Sequence, residues 1–175
     1  MNGTPEMDAV FQKIYDAIVE NLARGNGGPF GAAIVMGNEI MGLGTNQVLT
    51  SVDVSRHAEV ETLALAAKKT GDICLGDGVL LTSHFPCMMC YHAVKWAGVS
   101  KAFYIFDTRQ TRDFFGFEGD LSFLEDLGIS QEHLDRDPSL ILERYTSELT
   151  EELFFRRLVE VWNENYKSSL GCYDI

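Results

Sequence analysis

Two cysteines three residues apart, Cys87 and Cys90, stand in the stretch SHFPCMMCYHAVKW. Thirty residues before the first of them stands His57, in SRHAEVETLALAA, with Glu59 two positions further on. Thiolates and imidazoles are ligands for a borderline-soft metal, and residues i and i+3 on a helical turn face the same way. The C-x-x-C spacing by itself suits a redox dithiol as well as a metal site. Two cysteines cannot complete a zinc site, so His57 is the deciding partner. His57, Cys87 and Cys90 give three protein ligands and leave a fourth tetrahedral position open for water, the pattern of catalytic rather than structural zinc. Pro86 stiffens the entry to the helix that carries the sulfurs, and the positive end of that helix favours thiolate.

Glu59 adds the second half of a chemistry. His57-Ala58-Glu59 followed by Pro86-Cys87-Met88-Met89-Cys90 is the paired signature of zinc deaminases. Zinc makes hydroxide available near neutral pH. Glu59 is placed to take the proton from water, pass it to a ring nitrogen, and later protonate the departing amine. A metal site that served only folding would need no such carboxylate. The reaction expected is hydrolytic loss of an exocyclic amine, with ammonia and a ring carbonyl as products.

These residues need a frame that brings two helix N-termini to one place. Met7, Val10, Phe11, Ile14, Ile18 and Leu22 fall at helical spacing, and that helix stops at Gly25. Short apolar strands follow at 32–36 and 39–43, joined by Gly37-Asn38 as a tight hairpin turn. A second helix is expected over about 57–69, with Val60, Leu63, Ala64 and Ala67 inward. Then come a strand at 78–82, the cysteine helix at 87–97, and a buried strand at 102–107. The region 108–147 gives no clear period, apart from a candidate strand at 140–145. A last amphipathic helix covers about 151–166, with Phe154, Leu158, Val161 and Trp162 inward. Helices alternating with strands predict a three-layer α/β/α sandwich with a mixed central sheet. The glycine-rich GNGGPFG follows a helix and opens a strand, the reverse of a dinucleotide-binding loop, so it reads as a turn.

The bulk numbers exclude some classes. A chain of 175 residues is long enough for one domain with its own core. Its net charge of −12 repels phosphate backbones, and no basic run offsets it, so no nucleic acid partner is expected. No apolar run approaches the roughly 20 residues of a membrane helix. The N-terminal residues show no secretory pattern, so a cytoplasmic protein with reduced thiols at Cys74 and Cys172 is the expectation.

The sequence resembles the cytidine deaminase superfamily, and most of all the small bacterial guanine deaminases. The resemblance rests on GGPFGAAIV (27–35), Asn46, HAEV (57–60), PCMMC (86–90) and Trp96. It implies a cytidine deaminase-like fold, one Zn2+ per chain, and a homodimer acting on a small amino-heterocycle. Guanine to xanthine plus ammonia comes first. A nucleoside (guanosine or cytidine), a pterin or an aminotriazine is the alternative, and a tRNA adenosine ranks lower. It implies that Asn46 bonds the base, that Phe30 and Trp96 help enclose it, and that Ala58 joins the substrate-binding set. An acidic residue after a Gly-Phe pair is implied as a second catalytic group; in Gly116-Phe117-Glu118-Gly119-Asp120 the first choice is Asp120 and the second Glu118. Residues 150–175 would form a C-terminal helix and tail able to swap between subunits, with Tyr173 reaching an active site. The family's usual Glu-Pro-Cys is replaced here by Phe85-Pro86-Cys87, preceded by His84, which is expected to alter the rim of the pocket.

Overall fold

A computed structural model describes residues 4–166 of the chain. The first helix, α1 (Pro5–Ala23), begins where the Thr4 side chain accepts a bond from the Met7 amide, with proline in its first turn. Gly25 turns the chain at φ +68°. The hairpin β1 (Gly31–Met36) and β2 (Glu39–Thr45) follows, then the single turn α2 (Val48–Ser51) and α3 (Ala58–Thr70). Next are β3 (Val79–His84), α4 (Met88–Trp96) and β4 (Lys101–Phe106). The region without a readable period resolves into short pieces: α5 (Thr108–Gln110), a π-helical turn (Thr111–Phe115), α6 (Gly119–Asp126) and α7 (Gln131–Asp135). The strand β5 (Ile141–Arg144) precedes α8 (Glu148–Thr150), a π-helical stretch (Glu151–Leu158) and α9 (Val159–Asn165).

The five strands form one mixed sheet in the order β2-β1-β3-β4-β5. β1 runs antiparallel to both β2 and β3, whereas β3, β4 and β5 run parallel to one another. The parallel strands are covered on both faces, which is why VLLTSH and KAFYIF are nearly all buried. On one face, α1 (Phe11, Ile14, Ile18, Leu22) and the C-terminal helical segment (Phe154, Leu158, Trp162) pack on Leu81, Phe103 and Ile105. On the other, Ala58 and Ala66 of α3 and Tyr91 and Val94 of α4 pack on Ile34, Leu80, Ala102 and Tyr104. Each fully buried large side chain contributes roughly 1.5–3 kcal/mol, so two such cores hold the sheet between its helical layers.

Two expected buried faces are refined: Leu63 and Val161 pack against the core as expected but keep part of their surface exposed. In α3 the residues against the sheet are Ala58, Glu59, Thr62 and Ala66, while Val60, Leu63, Ala64 and Ala67 are only half buried. The reason lies in β2. A Cβ on Gly44 would stand 2.7 Å from the Thr62 amide and 2.8 Å from the Ala58 carbonyl, and one on Gly42 would strike the Thr62 carbonyl. Glycines let the helix backbone lie directly on the strand, so the helix presents its small residues there. The Thr62 hydroxyl donates to the Ala32 carbonyl at 2.9 Å and fixes that approach. In the C-terminal helix Val161 is half buried, and Leu153 joins Phe154, Leu158 and Trp162 inside. The π-helical stretch takes more residues per turn than an α-helix and so rotates the buried face.

Candidate active site

Both helices that carry the chemistry start at the carboxyl side of their layer with the key residue as the cap. His57 is the N-cap of α3, and Cys87 is the N-cap of α4, its sulfur accepting from the Cys90 amide at 3.5 Å. The helix starts meet because β3 alone separates α3 from α4 and α3 lies flat on β2. His57 Nδ1 is 3.5 Å from Cys87 Sγ and 3.6 Å from Cys90 Sγ. The three donor atoms all lie within 4.8 Å of one another.

This set fits zinc. Bonds of about 2.3 Å to sulfur and about 2.0–2.1 Å to nitrogen, meeting at a tetrahedral angle, place S and N about 3.6 Å apart. The donors are one imidazole and two sulfurs, all from the protein, which leaves a fourth position to water or substrate. A hydrogen bond from the Cys90 thiol holds the Cys87 thiol well below its ordinary value. The same bond to Cys87 and burial push Cys90 well up. Cys87 therefore sits as thiolate at the start of α4, where the helix dipole favours negative charge.

Glu59, in the first turn of α3, is 6% exposed. Burial raises its pKa, and the neighbouring Cys87 charge raises it further. The Thr82 hydroxyl donates to Glu59 Oε1 at 2.9 Å and holds the carboxylate from the floor of the sheet. Ala58, fully buried, lies between His57 and Glu59 with its carbonyl over Gly44.

Asn46 and Phe30 sit together beside this cluster. The Asn46 amide donates to the Phe30 carbonyl at 3.0 Å. Asn46 Oδ1 accepts from the amides of Gly28 at 3.2 Å and Val48 at 3.3 Å, so the side chain braces the glycine-rich loop. A Cβ on Gly27 would collide with Asn46, which explains a glycine there. The Phe30 ring is half buried, 4.5 Å from His84 and 4.9 Å from Phe117 between centroids. Phe117 in turn lies 5.5 Å from Trp162, whose indole donates to the Phe115 carbonyl at 2.9 Å.

The structure brings His57, Ala58, Glu59, Cys87 and Cys90 to one end of the sheet, with Asn46 and Phe30 flanking them. It does not bring Trp96 there. Trp96 ends α4, nine residues and therefore about 13 Å of helix beyond Cys87, and is 89% exposed. Among the described residues it encloses nothing. Phe85 is also not at a rim: it is 3% exposed and packs edge-on against Tyr104 at 5.1 Å. Asp120 is the second residue of α6, and Glu118 before it is exposed. Tyr173 lies outside the described residues.

Thr82 and Asn21 escaped the sequence reading, and His84, expected at a rim, is buried instead. Thr82 sits two positions after Leu80 on one face of β3, where a lone hydroxyl in an apolar strand was the signal. His84 is the last residue of β3, 3% exposed, with its Nδ1 2.8 Å from Ser83 Oγ. Burial lowers its pKa to about 3, so the ring is neutral. Asn21 interrupts the apolar stripe of α1 and is 4% exposed. Its amide donates to the Asn46 carbonyl at 2.8 Å, and its Oδ1 accepts from Asn26 at 3.1 Å and Gln47 at 2.7 Å. It ties both loops around Phe30 to α1.

Comparison with known proteins agrees with this geometry. The family model of the cytidine and deoxycytidylate deaminase zinc-binding region matches residues 7–106, more than half of the chain and all three donors. A guanine deaminase of Bacillus subtilis is 45% identical over 85 residues, 49% of this chain and 54% of that protein. The tRNA-specific adenosine deaminase 2 of Danio rerio is 30% identical over 136 residues, 74% of this chain and 58% of that protein. The chain thus spans about half the length of the curated relatives it matches. The crystal structure of guanine deaminase from Bacillus subtilis superposes with a TM-score of 0.63 at 33% identity, covering 81% of this chain and 85% of that one. With the motif, the donor geometry and the fold in agreement, this chain belongs to the family of the cytidine and deoxycytidylate deaminase zinc-binding region.

Proposed function

We propose that the protein is a zinc-dependent hydrolytic deaminase that removes the exocyclic amine of a purine base, converting guanine and water to xanthine and ammonia. The observation that carries this reading is Glu59, buried and bonded to Thr82, beside a three-donor metal set. Zinc held by His57, Cys87 and Cys90 would lower the pKa of water to about 7 and make a nucleophile available at neutral pH. Glu59 receives the proton of that water, delivers it to the ring nitrogen next to the reacting carbon, and then protonates the amine as the C–N bond breaks. Burial brings its pKa up toward the working pH, which suits a group that must both accept and donate. Asn46 and Ala58 bind the base, Phe30 lies against its face, and Asp120 is the second acid. Trp96 and Tyr173 enter the reading only through a second subunit, in a cytoplasmic homodimer of one-domain chains whose 150–175 segments swap.

Guanine is favoured because the relative at 45% identity and the superposed structure are both guanine deaminases. A tRNA substrate, suggested by the Danio rerio relative, is opposed by the net charge of −12. The test is ammonia release from guanine, guanosine, adenine, cytosine, cytidine, a pterin and an aminotriazine, with Glu59→Gln as the blank. Release from guanine, lost in Glu59→Gln while zinc is retained, is the expected result. A mutant that keeps most of its turnover overturns the role of Glu59. Release from another amine in preference to guanine overturns the substrate.

A further inference from the structure

His84 is a buried imidazole with one bonded edge. The Gly31 amide donates to Ser83 Oγ at 3.0 Å, and Ser83 Oγ lies 2.8 Å from His84 Nδ1. With the Gly31 proton pointing into the hydroxyl, the hydroxyl proton is free to point at Nδ1, which leaves the imidazole proton on Nε2. Nε2 is buried and has no hydrogen-bond partner among the described residues. Its surroundings are three aromatic rings: Phe30 at 4.5 Å, Phe106 at 4.9 Å and Phe115 at 5.0 Å. Ring faces are weak acceptors, and native folds seldom leave a buried N–H with nothing better.

Position along β3 says what could supply the acceptor. Thr82, which holds Glu59, and His84 are two residues apart and so share a face of the strand. They are separated by roughly 6.6 Å along it. That span is comparable to a bicyclic heterocycle. A ring system with its reacting amine at Glu59 and one face on Phe30 extends its far edge to the imidazole, at the carboxyl end of the parallel strands where open α/β sheets take their ligands.

We propose that His84 determines substrate specificity: its Nε2–H donates a hydrogen bond to an acceptor atom on the edge of the bound heterocycle remote from the reacting amine. This rests on the deaminase reading of the same site. A neutral donor here favours a bicyclic ring carrying a nitrogen or carbonyl acceptor at that edge, and rejects rings that carry hydrogen there, because the buried N–H would be left unpaired.

The test uses the zinc-loaded full chain carrying Glu59→Gln, which binds without turning over. Side-chain ¹⁵N spectra, with the His84 signals assigned by their loss in His84→Phe, are followed as guanine is added. Calorimetry gives Kd for the same protein, for the added His84→Phe and for the added His84→Gln. The expected result is a shifted Nε2–H signal, a Kd weakened about tenfold or more by His84→Phe, and partial recovery in His84→Gln, whose amide can donate. The same protein should bind 7-deazaguanine more weakly than guanine, and His84→Phe should erase that preference. Guanine binding with an unmoved Nε2 signal and an unchanged Kd overturns the proposal. If guanine does not bind but a pterin or aminotriazine moves the Nε2 signal, the guanine assignment falls and the role of His84 stands. If no amine in the panel moves it, the role of His84 is refuted whatever the substrate.

Discussion

Thr82→Val isolates the contact that holds Glu59. The change keeps the branched shape at a site that is 1% exposed and removes only the hydroxyl that donates to Glu59 Oε1 at 2.9 Å. A hydrogen bond to a charged group contributes about 1.5–3 kcal/mol, and about 1.4 kcal/mol corresponds to one pH unit. The bond favours the carboxylate form, so its loss raises a pKa that burial has already raised. Glu59 must start ionised to accept the proton of water, so the acid limb of kcat/KM reports its ionisation. The midpoint of that limb should move up by about one to two pH units in Thr82→Val. Above the new midpoint the rate should recover to within a few-fold of the parent, because the shuttle itself is intact. The assay is ammonia release across a pH series at saturating zinc, with bound metal measured at each point. An acid limb that stays where it was, with a uniform loss at every pH, would show that Thr82 does not tune Glu59 and that another group sets the limb.

Two further outcomes follow from contacts described above. Gly44→Ala should cost about 1–3 kcal/mol of stability, since its Cβ would press on the Thr62 amide and the Ala58 carbonyl. It should also lower zinc affinity by lifting α3 and His57 off the sheet; thermal melting with a metal titration checks both, and unchanged zinc binding would detach the helix seat from the metal site. His84 is neutral when folded, with its pKa lowered from 6.5 to about 3 by burial. The unfolded chain therefore binds a proton that the folded chain does not as pH falls below about 6.5, and stability that is complete above that pH is lost toward pH 3. Urea titrations between about pH 6.5 and pH 5 should show His84→Phe losing less stability than the parent, by about 1.4 kcal/mol per pH unit at most. Parallel curves would mean that His84 is charged in the fold.

The donor set was legible because His57, Cys87 and Cys90 combine metal-binding residue types at a telling spacing, and the structure holds their donor atoms within 4.8 Å of one another. The strands and long helices were legible from period alone. Phe11, Ile14, Ile18 and Leu22 of α1 and Phe154, Leu158 and Trp162 of the last helix are buried as expected, and what went unread was the small-residue face by which α3 sits on the sheet. Ala58 and Ala66 lie deeper than Val60 because Gly42 and Gly44 remove the strand's side chains and reward a small helix face. Trp96 was drawn into the site by resemblance, and in this chain the length of α4 carries it away. The stretch 108–147 hid its structure because a π-helical turn and helices of three to eight residues are too short to show a period. Asn21 and Thr82 were passed over as ordinary polar residues; their roles come from partners brought in from distant parts of the chain, which no local pattern records.

The metal donors and the proton carrier all fall between residues 57 and 90, whereas Phe117 and Trp162, which back Phe30, come after β4. The metal donors and the aromatic backing of Phe30 are thus encoded in separate stretches of the chain. Changes confined to the later stretch can reshape what fits against Phe30 without altering a single ligand or the contact between Thr82 and Glu59. For a lineage of such proteins, this arrangement lets the surface beside Phe30 drift while the metal-donor set is inherited intact.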